Sequence, residues 1–176
     1  MKISSPPYHL RPIEDSDIDW VFRALSDPKV YRYYGVRYLT LEATKSQMEW
    51  YESLITEGTG QWFAILDQAG EPLGGIGLND FEKSNKRAEL GYWLLPEYWG
   101  KGIMKTVVPA ILSLGFDQWD LHRIEAVVEP ENEASSALLR SNGFTYEGTR
   151  RECEVKNGEF ISLEMYSLLA PEYHSE

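Results

Sequence analysis

Cysteine is almost missing from these 176 residues: the one copy, Cys153, can neither close an internal disulfide nor build a multi-cysteine zinc site. A chain without such staples suits a reducing compartment, and the cytoplasm is the expected location. Long apolar runs are missing too. The longest, Val107 to Leu112, is too short to span a bilayer, and the opening Met1-Lys-Ile-Ser-Ser-Pro-Pro has no signal core, so no membrane partner is expected. Positive charge is scarce, with 17 Lys and Arg against 28 Asp and Glu and a net charge of −11. That field repels phosphate backbones, which makes nucleic acid a poor partner, and draws in cations. The three histidines, His9, His122 and His174, are scattered, and no metal constellation is evident. No linker, repeat or low-complexity run interrupts the chain, so residues 1–176 are expected to form one domain.

What the sequence does contain is core material. Hydrophobic residues make up 43%, including six Trp, eleven Tyr and six Phe, enough for a chain of this length to bury roughly 70% of its unfolded surface. Tyr8 to Pro12 alternates as a strand, and Asp15-Ser-Asp17 then caps a helix whose apolar positions are Ile18, Val21, Phe22 and Leu25. Asp27-Pro28 breaks that helix, and a tyrosine-rich stretch leads to Thr40, the cap of a second helix from about Leu41 to Glu57 that Gly58 and Gly60 end. Gln61 to Leu66 and Leu73 to Phe81 read as a hairpin, and Arg87 to Leu94 as a third strand. A mostly apolar helix from Gly102 to Trp119, kinked at Pro109, and a strand from Arg123 to Val128 make a crossover. A short helix from Asn132 to Ser141 and a hairpin across Asn157-Gly158, built from Phe144 to Val155 and Phe160 to Leu168, complete an α/β chain with a mixed sheet.

The segment Glu97-Tyr-Trp-Gly-Lys-Gly-Ile-Met104 lies between a strand end and a helix start, where unpaired N–H groups and the positive helix end can hold a pyrophosphate. It lacks the spacing of a nucleoside triphosphatase loop, and an ordinary tight turn with a solvated lysine is the alternative. Gly74-Gly-Ile-Gly77 falls within a strand, where close backbone packing is the expected role.

Gly91-Tyr-Trp-Leu-Leu-Pro-Glu-Tyr-Trp-Gly-Lys-Gly102, followed thirty residues later by Glu131-Asn-Glu-Ala-Ser-Ser-Ala-Leu-Leu-Arg-Ser-Asn-Gly-Phe144, resembles the GCN5-related N-acetyltransferases, the GNAT superfamily. Gly-Tyr-Trp-Leu, Trp-Gly-Lys-Gly, Leu121-His-Arg-Ile-Glu125 and Asn-Gly-Phe look most like its Rim-type ribosomal-protein N-terminal acetyltransferases. The resemblance implies a mostly antiparallel sheet flanked by helices, with a splayed central strand pair between the ends near Leu94 and Arg123. Acetyl-coenzyme A would lie in that splay as cosubstrate, bound by Trp93, Leu94, Trp99, Gly100, Lys101, Gly102, Ile103, Met104, Asn132 and Ser135. The amide near Leu94 would polarise the thioester carbonyl, a contribution of about 3 kcal/mol.

Two departures stand out. The broad superfamily pattern has Gln or Arg where this chain has Trp99, and Gly or Ala where it has Met104, so a phosphate contact is lost that Lys101 would replace as a point charge. The tyrosine that protonates the leaving thiolate in many relatives is Leu139 here, which leaves no such acid. The Rim-type pattern implies Ser135 in its place and Glu154 as the base. Each has a plainer alternative: Asn132 as a helix cap, Ser135 as a small first-turn residue, Glu154 as a solvated hairpin carboxylate.

The expected reaction is direct transfer of acetyl to a primary amine. An α-amine loses its proton at neutral pH for about 1 to 1.4 kcal/mol and a lysine for roughly 4.6, so a protein or peptide N-terminus is the favoured acceptor. A polyamine or aminoglycoside suits the charge as the alternative, and a non-catalytic acyl-coenzyme A sensor is the alternative of another class. Tyr31, Tyr33 and Tyr34 are the expected acceptor groove, whereas His122 reads as structural. Cys153, flanked by Glu152 and Glu154, is a poor nucleophile. The acceptor's identity and the oligomeric state are not written in any motif.

Overall fold

The computed structural model describes residues 2–174. Its eight strands form one sheet in the order β1-β2-β3-β4-β5-β6-β8-β7. They are β1 (Ile3–Ser5), β2 (Tyr8–Pro12), β3 (Gln61–Leu66), β4 (Pro72–Glu82), β5 (Arg87–Leu94), β6 (Arg123–Val128), β7 (Thr145–Lys156) and β8 (Glu159–Leu169). Every neighbouring pair is antiparallel except β5 with β6. β1, the three residues before Pro6-Pro7, was not foreseen; it pairs with β2 from Ile3 opposite Leu10 to Ser5 opposite Tyr8.

Alternation along β3 sorts the core into two layers. Phe63 and Ile65 point to one face, with Leu10, Ile76, Leu78, Val107, Ile111, Ile124 and Leu139. Trp62 and Ala64 point to the other, with Val21, Leu25, Met48, Tyr51, Leu54 and Trp93. α4 (Ile103–Ser113) and α5 (Glu133–Ser141) therefore cover the first face, and α1 (Ile18–Leu25) and α3 (Leu41–Glu57) the second. Local chemistry sets the helix ends: the Thr40 hydroxyl accepts the Ala43 N–H at 3.1 Å, and Gly58 takes the left-handed conformation that stops α3.

Two local readings change. After Asp27-Pro28 the chain makes a one-turn helix, α2 (Pro28–Tyr31), because the Asp27 carboxylate accepts the Lys29 N–H at 2.8 Å and proline suits the first helical position. The helix expected from Gly102 to Trp119 keeps Pro109 inside α4 and departs from α geometry later, in a π turn over Leu114–Gln118. There Gly115 lies so close to the sheet that a Cβ would stand 2.8 Å from Ile124 Cδ1, and the widened turn accommodates that approach. A last turn, α6 (Ala170–Tyr173), follows β8.

The glycine run of β4 packs as expected. A Cβ on Gly75 would meet the Trp93 ring at 2.9 Å, and one on Gly77 the Trp62 ring at 2.5 Å, so these residues let large indoles lie flat on the sheet.

Candidate active site

The site begins where the one parallel pair fails. β5 and β6 are in register only at Arg87 with Arg123, Ala88 with Ile124 and Glu89 with Glu125. Beyond Glu89, β5 stays bound to β4 as far as Leu94, while β6 follows β8 out to Val128. The strands part, and the expected splay is present. Leu95 N–H bonds Leu73 O at 2.9 Å, so alternation turns the Leu94 peptide the other way, toward the opening. On that side Leu94 O accepts the Trp99 indole N–H at 2.9 Å. Trp99, whose indole was expected to leave the phosphate to Lys101, thus clasps its loop to the strand end.

The loop then enters α4. Gly100 and Gly102 have φ of +72° and +75°, and a Cβ at either would meet nothing within 4 Å. The first helical bond runs from Thr106 N–H to Gly102 O at 3.2 Å, so the N–H groups of Ile103, Met104 and Lys105 precede the ladder. They open into a cavity of about 450 Å³, lined by Trp93, Leu94, Trp99 to Lys105, Asn132 and Ser135 among others. Lys29 and Lys105 join Lys101 there, a concentration of positive charge in a chain of net −11. Neither was singled out from sequence. Unpaired helix amides, αL glycines and lysines suit a diphosphate.

A second cavity, of about 290 Å³, shares Tyr33, Tyr34, Tyr92, Asn132 and Ser135 with the first. Its lining among the described residues is mainly acidic, with Glu89, Glu129 and Glu154 against the single cation Lys156. Glu129 is paired with Lys156, whose ammonium also reaches Arg32 O. Glu89 is half-buried, and burial first, then the charges of Asp80, Glu125 and Glu154, pushes its carboxyl up to about 7 against the pull of Arg150. Sequence reading passed over Glu89. An acidic residue in the largely apolar strand Arg87-Ala-Glu-Leu-Gly-Tyr-Trp-Leu94 was the available signal.

Glu154 reaches this cavity through an irregularity. β7 bulges between Arg150 and Glu154, with Glu152 at φ +47° and its N–H on the Ser162 hydroxyl at 3.0 Å. The bulge registers Glu154 opposite Ile161, which also lines the cavity. Cys153 is exposed in the bulge and lines neither cavity.

Asn132 does cap α5: its side-chain oxygen accepts the Ser135 N–H at 3.3 Å, and the residue lines both cavities as well. The Ser135 hydroxyl is 2.6 Å from the Tyr92 hydroxyl across the opening. Burial pushes the Tyr92 phenol up to about 12, with the Ser135 bond opposing. Leu139 is fully buried in the core.

The tyrosine groove is partly corrected. Tyr33 and Tyr34 line the junction, whereas Tyr31 faces a neighbouring depression, with Arg37 stacked 4.7 Å above its ring, because the turn of α2 carries it away. Trp50 and Trp62 belong to the second core layer. His122 is exposed and lines neither cavity, and no cluster suited to a metal ion exists among the described residues.

A parallel pair that parts, with an amide-rich helix start on one side and carboxylates on the other, defines an acyl-transfer architecture, and comparison with known proteins agrees. Residues 8–145 match the acetyltransferase (GNAT) domain, and the chain belongs to that family of N-acetyltransferases. It is 37% identical over 166 residues to the uncharacterized N-acetyltransferase p20 of Bacillus licheniformis, covering 93% of each chain. It is 26% identical over 167 residues to the spermidine N(1)-acetyltransferase of Escherichia coli, covering 95% of this chain and 88% of that one. The structure of the RimL ribosomal α-N-protein acetyltransferase in complex with coenzyme A superposes with a TM-score of 0.86 at 26% identity, over 96% of this chain and 98% of that one. No helix among the described residues is long and apolar enough to cross a membrane.

Proposed function

We propose that this protein transfers acetyl from acetyl-coenzyme A to the α-amine of a protein or peptide N-terminus, by direct attack. One observation carries the reading: a lysine-lined cavity at a helix start and a glutamate-lined cavity meet at Tyr33, Tyr34, Tyr92, Asn132 and Ser135. Acetyl-coenzyme A is the cosubstrate. Its diphosphate fits the amides of Ile103 to Lys105 with Lys29, Lys101 and Lys105, and its acetyl thioester supplies the electrophile at the junction. Leu94 N–H, turned toward the opening, donates to the oxygen on which charge develops.

The acceptor enters as an ammonium group drawn by Glu89 and Glu154. Glu89, held near 7, takes its proton. An α-amine of pKa about 7.7 to 8.0 gives that proton up at a cost of about 1 kcal/mol, whereas a side-chain amine near 10.4 requires roughly 4.6. Glu154, exposed at the mouth, keeps the field negative and passes the proton to solvent. This assignment moves the base from Glu154, which the resemblance implied, to Glu89, because Glu89 combines partial burial with a raised proton affinity.

A second reading is favoured by Glu89 and Glu154 on one cavity, two carboxylates not engaged by Lys156: a small polyamine that both hold at once. The test is an acetyl-transfer screen of free-amine peptides, their N-blocked forms containing lysine, spermidine and aminoglycosides, read by thiol release and mass spectrometry. Product on free peptide N-termini supports the first reading. Product confined to spermidine supports the second.

A further inference from the structure

The leaving thiolate needs a proton, and a serine hydroxyl alone is a poor source of one. Ser135 is not alone. Its hydroxyl lies 2.6 Å from that of Tyr92, the one side-chain partner of Ser135 Oγ among the described residues, and both residues line the junction of the two cavities. The contact spans the opening from β5 to α5, between residues 43 apart in the chain. Alternation along β5 turns Tyr92 toward the α4 and α5 face, where the cofactor cavity lies, and Glu89 toward the other. Acid and base therefore stand on opposite faces of one strand, joined by the gap beside it. The other ionisable groups facing the junction are Tyr33 and Tyr34 before α3, Glu89 on β5, Glu129 beyond β6, and Glu154 and Lys156 on β7.

We propose that Tyr92 supplies the proton for the departing coenzyme A sulfur, with Ser135 as the relay between them. This rests on the acetyl-transfer reading above. The amine nitrogen bonds to the carbonyl carbon, the carbon–sulfur bond breaks, and its electron pair goes to sulfur. Sulfur takes the Ser135 hydroxyl proton as Ser135 takes the phenolic proton of Tyr92. The proton that the attacking amine loses passes through Glu89 to solvent, and solvent reprotonates the phenolate, so protons balance over the cycle. A phenol, even one raised by burial, is a stronger acid than an aliphatic hydroxyl and donates to its oxygen, which gives the relay its direction. Tyr92 acts through Ser135 and is a positioning and proton-supplying residue, whereas Ser135 is the group that meets sulfur.

The experiment compares Tyr92→Phe, Ser135→Ala and the double variant, with acetyl-coenzyme A and whichever amine the screen identifies. Each single variant is expected to lose roughly tenfold to hundredfold in kcat, within the range of general acid catalysis, while the coenzyme A dissociation constant stays within about twofold. The double variant should be no worse than the poorer single one, because the two hydroxyls act as a unit. In addition, 3,5-difluorotyrosine at position 92, with its more acidic phenol, should move the basic limb of the kcat profile to lower pH. Full activity in Tyr92→Phe, losses that multiply, or an unmoved basic limb would each overturn the relay. A native chain that binds coenzyme A yet acetylates no amine would overturn the transfer reading and the relay with it.

Discussion

Arg11 and Asp17 meet as a parallel guanidinium–carboxylate pair, with both nitrogen–oxygen distances at 2.7 Å. Asp17 is buried and also accepts the Glu14 N–H at 2.8 Å and the Trp20 indole N–H at 2.9 Å. One carboxylate thereby ties the end of β2 to the start of α1. The sequence pattern showed only a capping cluster here.

Asp17→Asn leaves Arg11 facing a neutral amide and is expected to cost about 3 kcal/mol, the lower range for breaking a buried pair. In a chain of this size that lowers Tm by roughly 6 to 12 °C. Burial by itself would raise the Asp17 carboxyl, but the bonds from Arg11, Glu14 and Trp20 outweigh it and hold it below the usual range. Its stabilisation is therefore complete above the ordinary Asp value near 4 and is lost as pH falls through the lower folded value. Thermal melts at pH 7 and pH 3 should show a large difference between native and variant at the first and a smaller one at the second.

Glu89→Gln and Glu154→Gln separate the two carboxylates. If Glu89 is the base, native turnover rises with pH through about 7 as it loses its proton. Glu89→Gln should remove that limb and lower kcat roughly hundredfold. Glu154→Gln removes a charge that raises the Glu89 value, so the limb should persist and move to lower pH. A limb that vanishes in Glu154→Gln and persists in Glu89→Gln would return the base to Glu154.

Gly102→Val should weaken coenzyme A binding at least tenfold, measured by calorimetry. At φ +75° a β-branched residue is strained, and its side chain would enter the space at the start of α4. Binding equal to native would place the diphosphate elsewhere.

Lys29→Ala, Lys101→Ala and Lys105→Ala should each raise the coenzyme A dissociation constant severalfold at low salt, with smaller effects as salt screens the phosphates. Effects equal at all ionic strengths would show packing in place of charge attraction. Lys101, held 5.2 Å above the Tyr98 ring, is the member expected to matter for loop shape as well.

Much of the site's frame was legible. Trp99 to Met104 does form the helix entry, Asn132 does cap α5, and Asn157-Gly158 does turn the last hairpin, with φ of +53° and +82°. Each depends on residues within a few positions, where backbone preference and short side-chain bonds decide. Glu89 and Tyr92 were passed over for a different reason. Seen in sequence, one is a charge in a strand and the other an aromatic in a strand, and both have ordinary structural roles elsewhere.

The amino-acid order alone therefore determined the alternation of strands and helices, the glycines that let indoles lie on β4, and the amide-rich turn after β5. Only the folded arrangement decided that β5 and β6 part after Glu89, that a bulge aims Glu154 at the gap, and that Tyr92 reaches Ser135 from the facing wall. The division follows from range. Conformational preference is set by near neighbours in the chain. Proton affinity and cross-chain contact depend on what burial and packing bring from far along it.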